Sequence, residues 1–306
     1  MKMLTLLFVI ATYVSISAPV FISKGEIDTN HPIRIETGAI IEDLSFRHDI
    51  NGKATQLSPE ERKILYFPFS ISYTFKSGEE ISIISSYYSN ISHKLSDGTN
   101  LSNSGFSDIT ILIRSMGKLW GEMQGPFGIG ILIPIGDSIY KINNNQLPLG
   151  RGCWELILSF ATVDKRDNLI FYGDISYYFS FPIKVNKVRG EDIQETKISS
   201  GHRLNWGVGM EYRVSNSISL LGECTGKISF EKSAIFESSG ADATYTVNEK
   251  GKPEFVLQYM NEIYFTPIVQ MKIHNNIILS AGYKIPIKII NNYSGSIYTF
   301  NSLIMF

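Results

Sequence analysis

The chain has 306 residues, 43% of them hydrophobic, with 28 basic side chains against 29 acidic ones and a net charge of −1. That balance excludes the basic footprint of a nucleic-acid-binding protein. A helical membrane protein would carry runs of about 20 apolar residues, and none follows the N-terminus.

The chain opens with Lys2 ahead of a short apolar run from Leu4 to Ile16, and the small residues Ser15 and Ser17 precede Ala18. This is the pattern of a secretory signal over 1–17, cut before Ala18. From residue 33 the chain falls into twelve segments, at 33–46, 66–75, 80–90, 106–117, 126–135, 151–163, 168–181, 201–213, 217–230, 258–273, 276–288 and 297–306. Most alternate apolar and polar residues with a period of two, which predicts strands. The first is the least regular, because Glu36, Glu42 and Asp43 interrupt it. In the sixth, Trp154, Leu156, Leu158 and Phe160 oppose Cys153, Glu155, Ser159 and Ala161. In the eighth, Trp206, Val208, Met210 and Tyr212 oppose Gly207, Gly209, Glu211 and Arg213. In the last, Tyr298, Phe300, Ile304 and Phe306 share one face.

The connections alternate in length. Short polar turns fall at 76–79, 119–125, 164–167, 215–216 and 274–275, where Gly, Asn and Asp suit tight hairpins. Long connections fall near 47–65, 91–105, 136–150, 182–200, 231–257 and 289–296. Apolar outer faces, polar inner faces and alternating short and long connections predict an all-β transmembrane barrel in a bacterial outer membrane. The 16 Tyr and 18 Phe suit aromatic girdles at its two interfaces. The expected organisation is a signal over 1–17, then a barrel over 18–306 whose residues 18–32 form a periplasmic arm. Both mature termini are expected in the periplasm. The partners expected are outer-membrane lipid, a small-molecule permeant, and the barrel-assembly machinery, whose recognition signal the terminal Phe306 resembles. No nucleic acid is expected.

Three motifs in the middle of the chain carry a family resemblance. Gly105-Phe106-Ser107-Asp108 opens a strand, Pro134-Ile135-Gly136-Asp137 leaves one, and Leu149-Gly150-Arg151-Gly152 enters the next. With Phe265-Thr266-Pro267 and Ala281-Gly282-Tyr283-Lys284-Ile285-Pro286-Ile287, they resemble the meta-pathway phenol-degradation outer-membrane proteins over residues 100–306. The chain departs from the family at Phe106-Ser107, where another glycine is usual. That family is itself distantly similar to the long-chain fatty-acid and aromatic-hydrocarbon transporters. The resemblance implies passage of small, often apolar compounds, and carries no site residues over.

Alternation places Asp108, Arg114, Glu155, Asp174, Glu211, Arg213, Glu223, Lys227, Lys272 and Lys284 on polar faces. They are candidates for a pore lining of mixed charge, or for a salt-bridge network that fills the lumen, and neither sign dominates. Gly128, Gly130, Gly207 and Gly209 share those faces and are expected to relieve strand curvature or to admit a plug. The chain contains no HExxH or CxxC; export would allow Cys153 and Cys224 to pair, but their wide separation in sequence favours reading them as packing residues. No cofactor is expected. None of His31, His48, His93, His202 and His274 stands two residues before a serine or in a nucleophile-elbow context, so no enzyme is expected. The function expected is a channel or transporter for passive movement of small, hydrophobic or aromatic molecules. The alternatives are an adhesin or structural outer-membrane protein and, behind both, an outer-membrane hydrolase.

Overall fold

The computed structural model describes residues 30–48, 51–57, 61–94, 98–120, 123–137, 147, 149–189, 192–198, 201–234, 236–239, 242–245, 255–290 and 292–306. The signal expected over 1–17 and most of the arm lie outside them.

Among the described residues, alternating segments form twelve long strands: β1 (Ile33–His48), β2 (Glu61–Thr74), β3 (Glu79–Lys94), β4 (Ile109–Trp120), β5 (Met123–Ile133), β6 (Glu155–Arg166), β7 (Leu169–Ser180), β8 (His202–Arg213), β9 (Ile218–Ala234), β10 (Phe255–His274), β11 (Ile277–Ile290) and β12 (Tyr293–Met305). Each pairs antiparallel with its neighbour in sequence, and β12 returns to pair with β1 from Arg34–Met305 to Arg47–Tyr293. Beyond that register, Phe306 N–H donates to the Ile33 carbonyl at 2.8 Å. The pairing of β12 with β1 closes the twelve-strand order on itself, as a wall in hydrocarbon requires.

The period of two sorts the side chains. Ile83, Ile113, Ile129, Val208, Val269, Leu279 and Phe300 are exposed on the outside, while inward neighbours such as Glu80, Arg114 and Ser280 are buried. An apolar outside over a charged inside reverses the arrangement of a soluble protein. Exposed rings cluster at both ends of the wall. Tyr73, Phe75, Phe127, Phe171, Tyr212 and Phe306 lie toward the short turns, and Phe46, Phe106, Trp154, Phe179 and Phe181 toward the long connections.

The irregularity of β1 resolves in the same way. Glu36 and Glu42 fall on the inward face with Arg34, Ile40 and Leu44, and only Asp43 of the three acids turns outward. The last connection differs from expectation. Only residues 291 and 292 separate β11 from β12, instead of a loop over 289–296. The polar run from Asn291 to Ser296 reads as a loop, yet Tyr293 to Ser296 pair with β1, and Tyr293 and Ile297 pack inside the barrel.

Other long connections hold structure of their own. Ala54–Gln56 pairs with β1, Ile183–Arg189 pairs with Asp192–Ile198, and Phe236–Ser239 pairs with Asp242–Tyr245. The wall divides at β3. Its lower half, Glu79–Ile84, pairs with β4, and its upper half pairs with the short strand Asn100–Phe106. The chain changes course at Ser107-Asp108, where Ser86 and Ser107 exchange hydrogen bonds: Ser107 N–H to the Ser86 carbonyl at 2.8 Å and Ser86 N–H to Ser107 Oγ at 3.0 Å.

Candidate functional site

The lumen is layered. At the long-connection end an apolar cluster fills it, with Ile40, Tyr66, Tyr88, Ile91, Tyr264, Ile289 and Tyr293 projecting from the wall. Leu57, Leu101, Leu147 and Leu149 meet them from three different connections. The Tyr66 and Tyr88 rings stack at 5.1 Å, and the Arg62 guanidinium lies 4.3 Å from the centre of the Tyr293 ring.

The connection between β5 and β6 is drawn into this cluster by Asp108. Its carboxylate accepts the Gly136 N–H at 3.0 Å and the Arg151 N–H at 2.7 Å, while the Asp137 carbonyl accepts the Leu149 N–H at 2.7 Å. A side chain at Gly136 would press on the Gly150 backbone 3.0 Å away. The segments 105–108, 134–137 and 149–152 therefore meet at one point. Asp108 stands above the start of β4, outside the spanning strands, and burial pushes its carboxyl up to about 6 although the two backbone donors act to lower it. Asn103 Nδ2 fixes the same connection by donating to the Leu147 carbonyl at 2.7 Å.

Beside this staple lies a buried charge network. Glu155 accepts hydrogen bonds from Arg203 Nη2 at 2.8 Å and Ser180 Oγ at 2.7 Å, and Arg151 Nε lies 2.7 Å from the same carboxylate as an ion pair. Arg203 in turn lies 3.9 Å over the Tyr178 ring. Two cations and a hydroxyl on one carboxylate provide the compensation that a buried charge needs.

Further down, Tyr172 donates to Glu223 at 2.8 Å by lying across Gly209, where a Cβ would enter its ring. Gly209 therefore makes room for a side chain. The same solution recurs on the outer face, where a Cβ at Gly226 would enter the Trp206 ring. Glu80 is fully buried between Arg34 and Arg114, with Arg114 Nε 3.0 Å from its carboxylate. Gly128 lies opposite Arg114, 2.9 Å from its Cγ when given a Cβ.

At the short-turn end is a cavity of about 380 Å³. Glu211, Arg213, Gln270, Lys272, Ile278 and Met305 line it, together with residues of the two turns 215–217 and 275.

The ten residues chosen from alternation thus fall in different layers. Asp108 and Glu155 hold the upper connection, Arg114, Asp174, Glu223, Lys227 and Lys284 project along the wall, and Glu211, Arg213 and Lys272 surround the lower cavity. Alternation alone did not single out Arg34, Arg62, Glu80, Arg203 or Glu262. Glu262 has the parity of Lys272, and Arg34 and Glu80 sit at strand ends where the alternation is hardest to extend. Cys153 is buried at the upper rim, Cys224 lies on the outer side of β9, and no disulfide joins them. His48 Nε2 stands 2.7 Å from Ser294 Oγ and its Nδ1 3.2 Å from the Gly52 carbonyl. The carbonyl can only accept, so Nδ1 donates and the Ser294 hydroxyl donates to Nε2. The contact clips β1 to β12.

A closed antiparallel barrel with an apolar outside, aromatic girdles and a charged lumen is a transmembrane barrel of the bacterial outer membrane. No family model matches the chain, and no curated protein matches it. Among solved structures it is similar to the COG4313 outer membrane channel from Pseudomonas putida F1, with a TM-score of 0.65 and 10% identity over 90% of this chain and 96% of that one. It is similar also to the translocator domain of the autotransporter NalP from Neisseria meningitidis, with a TM-score of 0.50 and 10% identity over 95% of this chain and 94% of that one. The β domain of the Bordetella autotransporter BrkA gives a TM-score of 0.50 at 7% identity, over 90% of this chain and all of that one. At such identities the likeness is one of fold.

Proposed function

We propose that the protein is a passive outer-membrane channel for small apolar or aromatic molecules, with its short turns and both termini in the periplasm. The observation that carries this reading is the apolar cluster inside the barrel. A water-filled pore gains nothing from drawing Leu57, Leu101, Leu147 and Leu149 out of three connections onto inward tyrosines and isoleucines. The cluster's side chains are packed against one another, so a solute would pass only where they part, and there it would meet apolar walls.

The motif resemblance to phenol-degradation outer-membrane proteins belongs to the same proposal, as does recognition of Phe306 by the barrel-assembly machinery. Non-enzymatic action fits the site as well, since the His48–Ser294 contact leaves the serine 95% buried and orients the ring with a carbonyl rather than a carboxylate.

Uptake of phenol or toluene into proteoliposomes, with conductance of the same preparation in planar bilayers, tests it. Faster uptake than in empty liposomes supports a channel. Equal uptake, from protein that runs as a folded barrel, returns the choice to an adhesin or structural protein.

A further inference from the structure

We propose that the cavity at the short-turn end is a binding site for small organic monocarboxylates with an apolar body, and that Arg213 and Lys272 set this preference. The inference rests on the channel reading for its meaning, since it names the class of molecule that pauses at this mouth.

The cavity, about 380 Å³, lies in the range of small-molecule sites. Two cations and one acid line it. The acid, Glu211, is 3% exposed and already engaged: it accepts the Ser219 hydroxyl at 2.8 Å and stands 3.6 Å from Arg213 Nε. Lys272 has no ion-pair partner among the described residues. The wall therefore holds one positive charge more than it neutralises, which suits a monoanion and repels a cation.

Chemistry narrows the class further. The guanidinium of Arg213 keeps donors beyond the Nε that faces Glu211, and its planar fork matches a carboxylate, while Lys272 adds a point charge. Ile278 and Met305 give the same cavity an apolar side. An aromatic acid such as benzoate presents both features, and benzyl alcohol presents only one. Arg213 is half-exposed, so water and salt weaken the contact, and binding should be shallow and salt-sensitive.

Isothermal titration of sodium benzoate and of benzyl alcohol into the detergent-solubilised full chain tests this without requiring conductance. A silent bilayer would count against the channel and leave the site standing. The expected result is benzoate binding that weakens at least fivefold in Lys272→Gln and in Arg213→Gln, and also on raising salt from 50 to 300 mM. Lys165→Gln, which removes a cation near the short-turn end of β6, should bind as the wild type does. Heat-modifiable mobility of each variant shows that the barrel is folded. Equal affinity for benzoate and benzyl alcohol, unchanged binding in Lys272→Gln, or an equal loss in Lys165→Gln would each overturn the proposal.

Discussion

Asp108 is a single carboxylate that ties together Gly136 and Arg151, at the two described ends of the connection between β5 and β6. In Asp108→Ala the Gly136 and Arg151 N–H groups lose their acceptor, and an unsatisfied buried donor costs about 1–3 kcal/mol. The connection between β5 and β6 should then leave the wall. Trypsin should cut the folded variant at Arg151 while sparing the wild type, and equal protection of the two would contradict the staple. The pH dependence has a definite sign. In the folded barrel Asp108 takes up its proton near 6, whereas in the unfolded chain it does so near its ordinary value of about 4. A carboxyl raised in this way adds stability below its unfolded value and loses it as pH rises through about 6. Urea midpoints of the wild type should therefore gain on those of Asp108→Ala between pH 7.5 and pH 5, and parallel curves would refute the assignment.

For the single strand, the period of two is the whole argument. Leu279 is exposed on the outside of β11, and Ser280, the next residue, is buried inside opposite Asn301. Leu279→Arg should destabilise the barrel by about 2–4 kcal/mol if it lies near the bilayer midplane. Ser280→Arg should cost much less and alter conductance, because it enters near the lower cavity. Equal losses in refolding assays, or the reverse order, would mean that the strand is inside out. Such faces were legible in sequence because alternation depends on the backbone alone, and so ten charged residues could be placed by parity. The destination of the connections was not legible. Leu57, Leu101, Leu147 and Leu149 are isolated apolar residues in polar runs, and nothing in their spacing says that they turn into the barrel. Parity likewise located Gly209 on the inner face without revealing that the Tyr172 ring lies over it. The turn after β11 is shorter than its sequence suggests for a related reason, since a polar run can be a loop or the polar end of a strand.

The whole molecule is held by its seam. The N–H of Phe306 and the carbonyl of Ile33 end the pairing of β1 with β12, and the Phe306 ring stands on the outer surface. Deleting Phe306 removes both the last rung and an interfacial anchor. The variant should be synthesised normally but recovered from the outer membrane in smaller amounts, and wild-type recovery would show the rung to be dispensable. The seam aside, the outer wall makes few particular contacts. Ile83, Ile113, Ile129, Val208 and Val269 meet acyl chains, and any apolar residue serves there. Half of each strand is therefore unconstrained in identity though fixed in polarity. The architecture asks for polarity more than identity, so this barrel can superpose over 90% of its length on one sharing 10% of its residues. Change should be slowest where a neighbour fixes the residue's shape, at Gly136 and Gly150 beneath Asp108, at Gly209 beneath Tyr172 and at Gly226 beneath Trp206.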